Sequence, residues 1–113
     1  MAIDSFPCSY QRFISAYKKA YGSVPDVFAV QGYDAAQLYV AGLKAVDGDL
    51  SKRDQIIKAM SAAKLDSPRG PVTFSRSHNP IQNMYLRNVK GTENVLAGVV
   101  IEALEQPAPS CKL

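Results

Sequence analysis

The stretch from Val27 to Val46 constrains this chain more than any other. Phe28, Val30, Tyr33, Ala35, Ala36, Leu38, Tyr39, Val40 and Leu43 carry helical spacing, yet they run nearly all the way round the axis instead of forming one stripe. A surface helix of a globular domain needs one apolar face, and a helix that is apolar on most sides is buried on most sides. The helix expected over about 27–46 therefore belongs in the middle of a body larger than itself. The whole chain has 113 residues and 12.3 kDa, room for one domain whose surface as a compact monomer would be roughly 6,000 Å². Gly32 and Gly42 interrupt this helix at a cost of about 1 kcal/mol each relative to Ala. That points to close packing or to a backbone group left open.

The flanking segments are conventional. Tyr10, Phe13, Ile14, Tyr17 and Tyr21 recur at three- and four-residue steps, so a helix is expected over about 9–21. Ser9 suits its N-cap, Gly22 its left-handed end, and Lys18 and Lys19 sit where cations favour the helix dipole. Helical spacing assigns the aromatic stripe to core packing rather than to base stacking. Ser23-Val24-Pro25-Asp26 is a linker, since Pro25 keeps Val24 out of the α region. A third helix is expected over about 51–63, capped by Ser51 with Asp54 completing a short-armed capping box and Ile56, Ile57 and Met60 as its buried stripe. Asp66-Ser67-Pro68-Arg69-Gly70-Pro71 reads as a turn. Beyond it the period falls to two, and strands are expected at about 72–75, 84–89 and 95–101. The last two join through Lys90-Gly91-Thr92-Glu93 as a hairpin. Helical continuation through Glu102-Ala103-Leu104-Glu105 is the rival reading of the final strand's end.

Composition removes several function classes. Apolar residues make up 47% and charged residues 20%, so the chain is neither disordered nor collagen-like. The longest apolar run, Val95 to Ile101, is far shorter than the about 20 residues that span a bilayer. The net charge of +3 comes from 13 scattered cations against 10 anions, too dilute for the basic stripe that nucleic acid requires. His78 is the single histidine, placed in a Ser-rich loop before Asn79-Pro80 where turn formation explains it better than catalysis. Asp47 and Asp49 flank Gly48 but lack further oxygen ligands for a metal, and no glycine-rich phosphate loop is present. Arg69, between Pro68 and Gly70, can grip an anion or simply be solvated. These residues assemble no enzyme, cofactor site or metal site.

Cys8 and Cys111 lie near the two ends and match no zinc spacing. They are either two buried thiols or one disulfide. A disulfide closing a loop of roughly a hundred residues would contribute about 4–5 kcal/mol in the chain-entropy account.

In order, the segments are Tyr21-Gly22-Ser23-Val24-Pro25, then Gly32-Tyr33-Asp34-Ala35 opening the long helix, then Ser67-Pro68-Arg69-Gly70-Pro71-Val72-Thr73-Phe74. Over essentially the whole chain this succession resembles the C-terminal third of the solute-binding proteins of branched-chain amino-acid-type ABC transporters, the leucine/isoleucine/valine-binding family. His78-Asn79-Pro80-Ile81-Gln82 and Tyr85-Leu86-Arg87 look like a branch that takes aromatic or other non-leucine solutes. The resemblance implies an α/β chain, part of a type I periplasmic-binding-protein fold of two Rossmann-like lobes, here three helices with a short antiparallel β element. It implies no enzymatic activity, a small-molecule solute and an ABC permease as partners, and a periplasmic location for the parent protein. A C-terminal fragment of that kind is expected to lack the parent's signal peptide.

Residue by residue the resemblance carries over little, because family members are about three times longer and most ligand-gripping positions fall outside these residues. It makes Tyr33 a cleft-lining aromatic, with Gln31 a second candidate and Gly32 a position where backbone could approach the solute. Plain helix packing is the competing role for Tyr33. The family's lobe arrangement brings the chain before the first helix close to the C-terminal tail, which implies a Cys8–Cys111 disulfide. The all-round helix would normally pack on a sheet that these residues do not supply, so a homodimer, with elements exchanged between copies, is expected of the chain by itself. A small self-associating interaction module without a ligand is the alternative reading, and a nucleic-acid binder a weaker one.

Overall fold

The computed structural model describes residues 8–105. Helices α1 (Cys8–Tyr21), α2 (Val27–Lys44) and α3 (Arg53–Ser61) precede strands β1 (Leu65–Ser67), β2 (Gly70–Phe74), β3 (Pro80–Lys90) and β4 (Glu93–Leu104). The strands form an antiparallel meander in the order β1-β2-β3-β4.

The aromatic stripe of α1 packs only in part, since Phe13 alone of its members is buried and Tyr21 is 71% exposed. Phe13 is buried, its ring centroid 4.8 Å from that of Tyr33 on α2 and 5.9 Å from that of Tyr17. The helix ends at Gly22, whose φ of 72° and amide bond to the Lys18 carbonyl at 2.9 Å make the left-handed stop that a side chain with a Cβ resists. It begins at Cys8, so Ser9 stands in its first turn and not before it.

Asp26 caps α2, its carboxylate accepting the Ala29 N–H at 2.8 Å. The helix ends at Lys44, two residues earlier than its apolar pattern suggests. The chain turns there through Asp47 and Gly48, both at positive φ, while Val46 stays in the core at 3% exposure. Val30, Asp34 and Gly42 form the buried face of α2, while Phe28 is 74% exposed and Tyr39 and Val40 about half exposed. Described residues thus cover one face of a helix that is apolar on several. The surface of 8383 Å² accordingly exceeds the roughly 6,000 Å² of a compact monomer of this mass.

The two glycines of α2 separate into the two roles open to them. A Cβ at Gly42 would lie 2.8 Å from Met60 Cγ and 3.0 Å from Ile56 Cγ2, so α3 packs directly on bare backbone there. A Cβ at Gly32 would meet open space.

Three expectations about elements need correction. Ser51 does not cap α3: its amide and hydroxyl both donate to Asp49 Oδ1, at 3.0 and 2.6 Å, and α3 starts from Lys52 with no side-chain cap. A short carboxylate two residues upstream competes successfully for the serine. These bonds hold the Asp49 carboxyl below the usual carboxylate range. The segment read wholly as a turn at Asp66–Pro71 is a tight hairpin, with Leu65 opposite Val72 and Ser67 opposite Gly70. Strand β1 is three residues long and buried at Leu65 and Ser67, too short to display a period of two. The element expected to have three strands therefore has four, and its last strand runs to Leu104, with Ala103 at positive φ, in place of the rival helical ending.

Strands β3 and β4 pair from Lys90↔Glu93 at the hairpin end to Gln82↔Leu104, with register shifts between Gln82 and Met84, Met84 and Tyr85, and Leu86 and Arg87. Such bulges bend and twist a ribbon. This ribbon is largely exposed, with Val89 at 75% and Val100 at 62%.

Candidate functional site

The β1–β2 turn is fastened from both sides. From below, buried Asp34 on α2 accepts three hydrogen bonds on Oδ2: from Ser67 Oγ at 2.9 Å, Arg69 Nε at 3.1 Å and Arg69 Nη2 at 2.7 Å. Ser67 Oγ in turn accepts the Arg69 amide at 3.1 Å. From above, the Tyr85 hydroxyl on β3 donates to the Arg69 carbonyl at 2.7 Å. Gly70 completes the turn at φ 99°, where a Cβ would sit 2.7 Å from that hydroxyl. The charged pair is tolerable in a half-buried place because its hydrogen bonds are charge-assisted. Asp34 Oδ1 is buried with no partner among the described residues.

Beside this turn lies a cavity of about 730 Å³ between the N-terminal parts of α1 and α2 and the inner side of the β3–β4 ribbon. Tyr10, Val27, Val30, Met84, Leu96 and Val99 supply aromatic and apolar wall, while Arg69, Arg87, Gln82, Asn83 and Asp26 supply polar groups. Apolar walls with a few placed polar groups are the common composition of small-molecule sites. Among the described residues no three of His, Cys, Asp and Glu converge as metal ligands, and no helix is long and apolar enough to cross a membrane.

Of the residues singled out from sequence, Arg69 lines the cavity, whereas the three on α2 lie elsewhere. Tyr33 is 41% exposed, with its ring tilted on Phe13, so it serves α1–α2 packing and keeps part of its face open. Gln31 and Gly32 are exposed. None of the three lines the cavity. Cys8 is exposed at the start of α1, and Cys111, its expected partner, lies outside the described residues. His78 occupies a turn with φ 62°, its amide bonded to the Ser75 carbonyl.

Sequence reasoning offered Arg69 as an anion grip but missed the groups that hold it, Asp34, Ser67 and Tyr85. The one available signal was the pair Arg69-Gly70 between two prolines, a rigid turn holding a charged side chain in one direction.

A family model described as periplasmic binding protein matches residues 5–94. Among solved structures, an ABC-transporter solute-binding protein from R. palustris in complex with benzoate is 48% identical, with a TM-score of 0.91 over 97% of this chain and 31% of that one. A second, from Rhodopseudomonas palustris BisB5 in complex with 3,4-dihydroxybenzoic acid, is 33% identical, with a TM-score of 0.75 over 86% of this chain and 28% of that one. A leucine-binding protein from Thermotoga maritima is 19% identical, with a TM-score of 0.67 over 83% of this chain and 27% of that one, a likeness of fold alone. No curated protein sequence matches the chain. The chain thus spans about a third of the length of the solved proteins it resembles.

Proposed function

Because this chain belongs to the periplasmic binding protein family, with the type I fold of ABC-transporter solute-binding proteins, we propose that it supplies one wall of the site at which such a protein captures a small aromatic acid for an ABC importer. The observation that carries this reading is the cavity beside the β1–β2 turn, apolar over most of its wall and cationic at Arg69 and Arg87. Benzoate and 3,4-dihydroxybenzoate, bound by the two relatives at 48% and 33% identity, combine those two characters. An amino acid as solute is suggested only by neighbours at 19% and 22% identity and is the weaker choice.

In this role the protein performs no bond chemistry. It works in the periplasm, where capture by lobe closure over the solute is a hinge motion and the loaded protein delivers its cargo to a membrane permease. Tyr33, Gln31 and Gly32 do not line that cavity; in this reading they offer the solute a separate exposed surface of α2, Tyr33 with a half-open ring and a hydroxyl tip.

Titration calorimetry of the chain with benzoate, 3,4-dihydroxybenzoate and leucine tests the reading. Saturable binding of the aromatic acids, weaker than micromolar because the wall is partial, and none of leucine is the expected result. Equal response to leucine, or no saturation with either aromatic acid, rejects it.

A further inference from the structure

Arg69 is held in an unusual way. Its Nε and Nη2 both donate to one oxygen of buried Asp34, its amide to Ser67 Oγ, and its carbonyl accepts from Tyr85. Side chain and backbone are therefore both positioned before any ligand arrives. The remaining terminal nitrogen, Nη1, has no partner among the described residues, and the arginine lines the cavity with 29% of its side chain exposed. A guanidinium gripped along one edge keeps its other donors in a fixed plane, the geometry in which arginine recognises a carboxylate. Fixing a long side chain in advance also removes much of the ordering cost that a solvated arginine would incur on binding.

We infer that Arg69 is the carboxylate anchor of the cavity: Nη1 donates to the carboxylate of a small aromatic acid whose ring lies against Val27, Val30 and Tyr10. Asp34 acts as the positioning residue behind it. Asp26, the anion on the same wall, is occupied in capping Ala29, and Arg87 adds a second positive charge to the lining. This inference rests on the proposed solute-binding role and adds to it the group that selects an acid over a neutral ring.

The test compares benzoate with benzamide, its neutral near-isostere, on the 113-residue chain, by NMR titration with the Arg69 side-chain resonances followed. Benzoate should bind at least about tenfold more tightly than benzamide, the effect of one charge-assisted hydrogen bond, and should shift Arg69 Nε–H. The double variant Arg69→Gln/Asp34→Asn, which replaces the ion pair by two neutral amides and so leaves no buried charge, should bind the two compounds equally. Equal binding of both by the unsubstituted chain overturns the anchor and leaves the solute role standing. Binding of neither overturns both. Discrimination that survives in the double variant also overturns the anchor and places recognition of the acid elsewhere.

Discussion

The Tyr85 hydroxyl donates to the Arg69 carbonyl across 2.7 Å, and the same oxygen closes the space in which any Cβ on Gly70 would have to sit. One phenol thus ties β3 to the β1–β2 turn and enforces glycine at the turn's end. With Asp34 holding the arginine from the other side, a turn of four residues is fixed to both a helix and a strand.

Gly70→Ala should destabilise the chain by about 1–3 kcal/mol, since positive φ and steric conflict both oppose it. Tyr85→Phe should cost about 1 kcal/mol, one hydrogen bond. Together they should cost less than their sum, because phenylalanine removes the oxygen that the new methyl meets while leaving the φ strain. Urea unfolding of the four proteins measures this, and additivity within about 0.3 kcal/mol contradicts the geometry.

Removing the anion under the turn should be costlier. Asp34→Ala leaves Ser67 and Arg69 without their acceptor, and a loss of about 2–4 kcal/mol is expected, held below the value for a fully buried pair because Arg69 can rehydrate. Arg69→Lys keeps the charge but cannot place two nitrogens on Oδ2, and should cost about 1 kcal/mol. Denaturant midpoints report both, and an Arg69→Lys variant as stable as the parent would contradict the two-nitrogen grip.

The two glycines of α2 should respond oppositely to alanine. Gly32→Ala enters open space and should stabilise by up to about 1 kcal/mol through helix propensity. Gly42→Ala gains the same propensity but drives a methyl into Met60 and Ile56, where overpacking costs about 1–3 kcal/mol, so the net change should be neutral to destabilising. Thermal melts of the pair decide it, and a stabilising Gly42→Ala would mean that α3 does not rest on α2 as described.

Tyr33 packs on Phe13 and is proposed to meet the solute, and two substitutions separate the observed role from the proposed one. Tyr33→Ala loses the ring contact with Phe13 and should cost about 1–2 kcal/mol, as expected for a partly exposed aromatic pair. Tyr33→Phe keeps that contact, so unchanged stability with weakened benzoate binding would support the hydroxyl as a polar contact to solute. Unchanged binding in Tyr33→Phe assigns this residue to packing alone.

Asp49 titrates below the ordinary carboxylate range because Ser51 donates to it from both side chain and amide, with a smaller contribution from Lys52. A depressed folded-state pKa means that its stabilising contribution is present above the unfolded value and is lost as pH falls through the folded one. Carboxyl carbon shifts followed by NMR should place the Asp49 midpoint below those of ordinary exposed aspartates, and Ser51→Ala should move it upward. A midpoint unaffected by Ser51→Ala would rule out the serine as its cause.

The sequence by itself determined the helices, most of the strands and the chain's turning points. Those features follow from local rules: the three- and four-residue spacing in α1, the stop at Gly22, the restriction at Pro25, and the change of period after Gly70. The all-round apolar pattern of α2 also said, correctly, that the described residues would not cover it. Tertiary structure alone decided which face of α2 is buried, which of its glycines carries a neighbouring helix, that Leu65–Ser67 pairs as a strand, and that Ser51 serves Asp49 instead of α3. It alone also brought Asp34 to Ser67 and Arg69, 33 and 35 residues away. Spacing along a chain reports only on neighbours within a turn or a pleat, whereas an ion pair across such a distance exists only after packing has brought its two halves together.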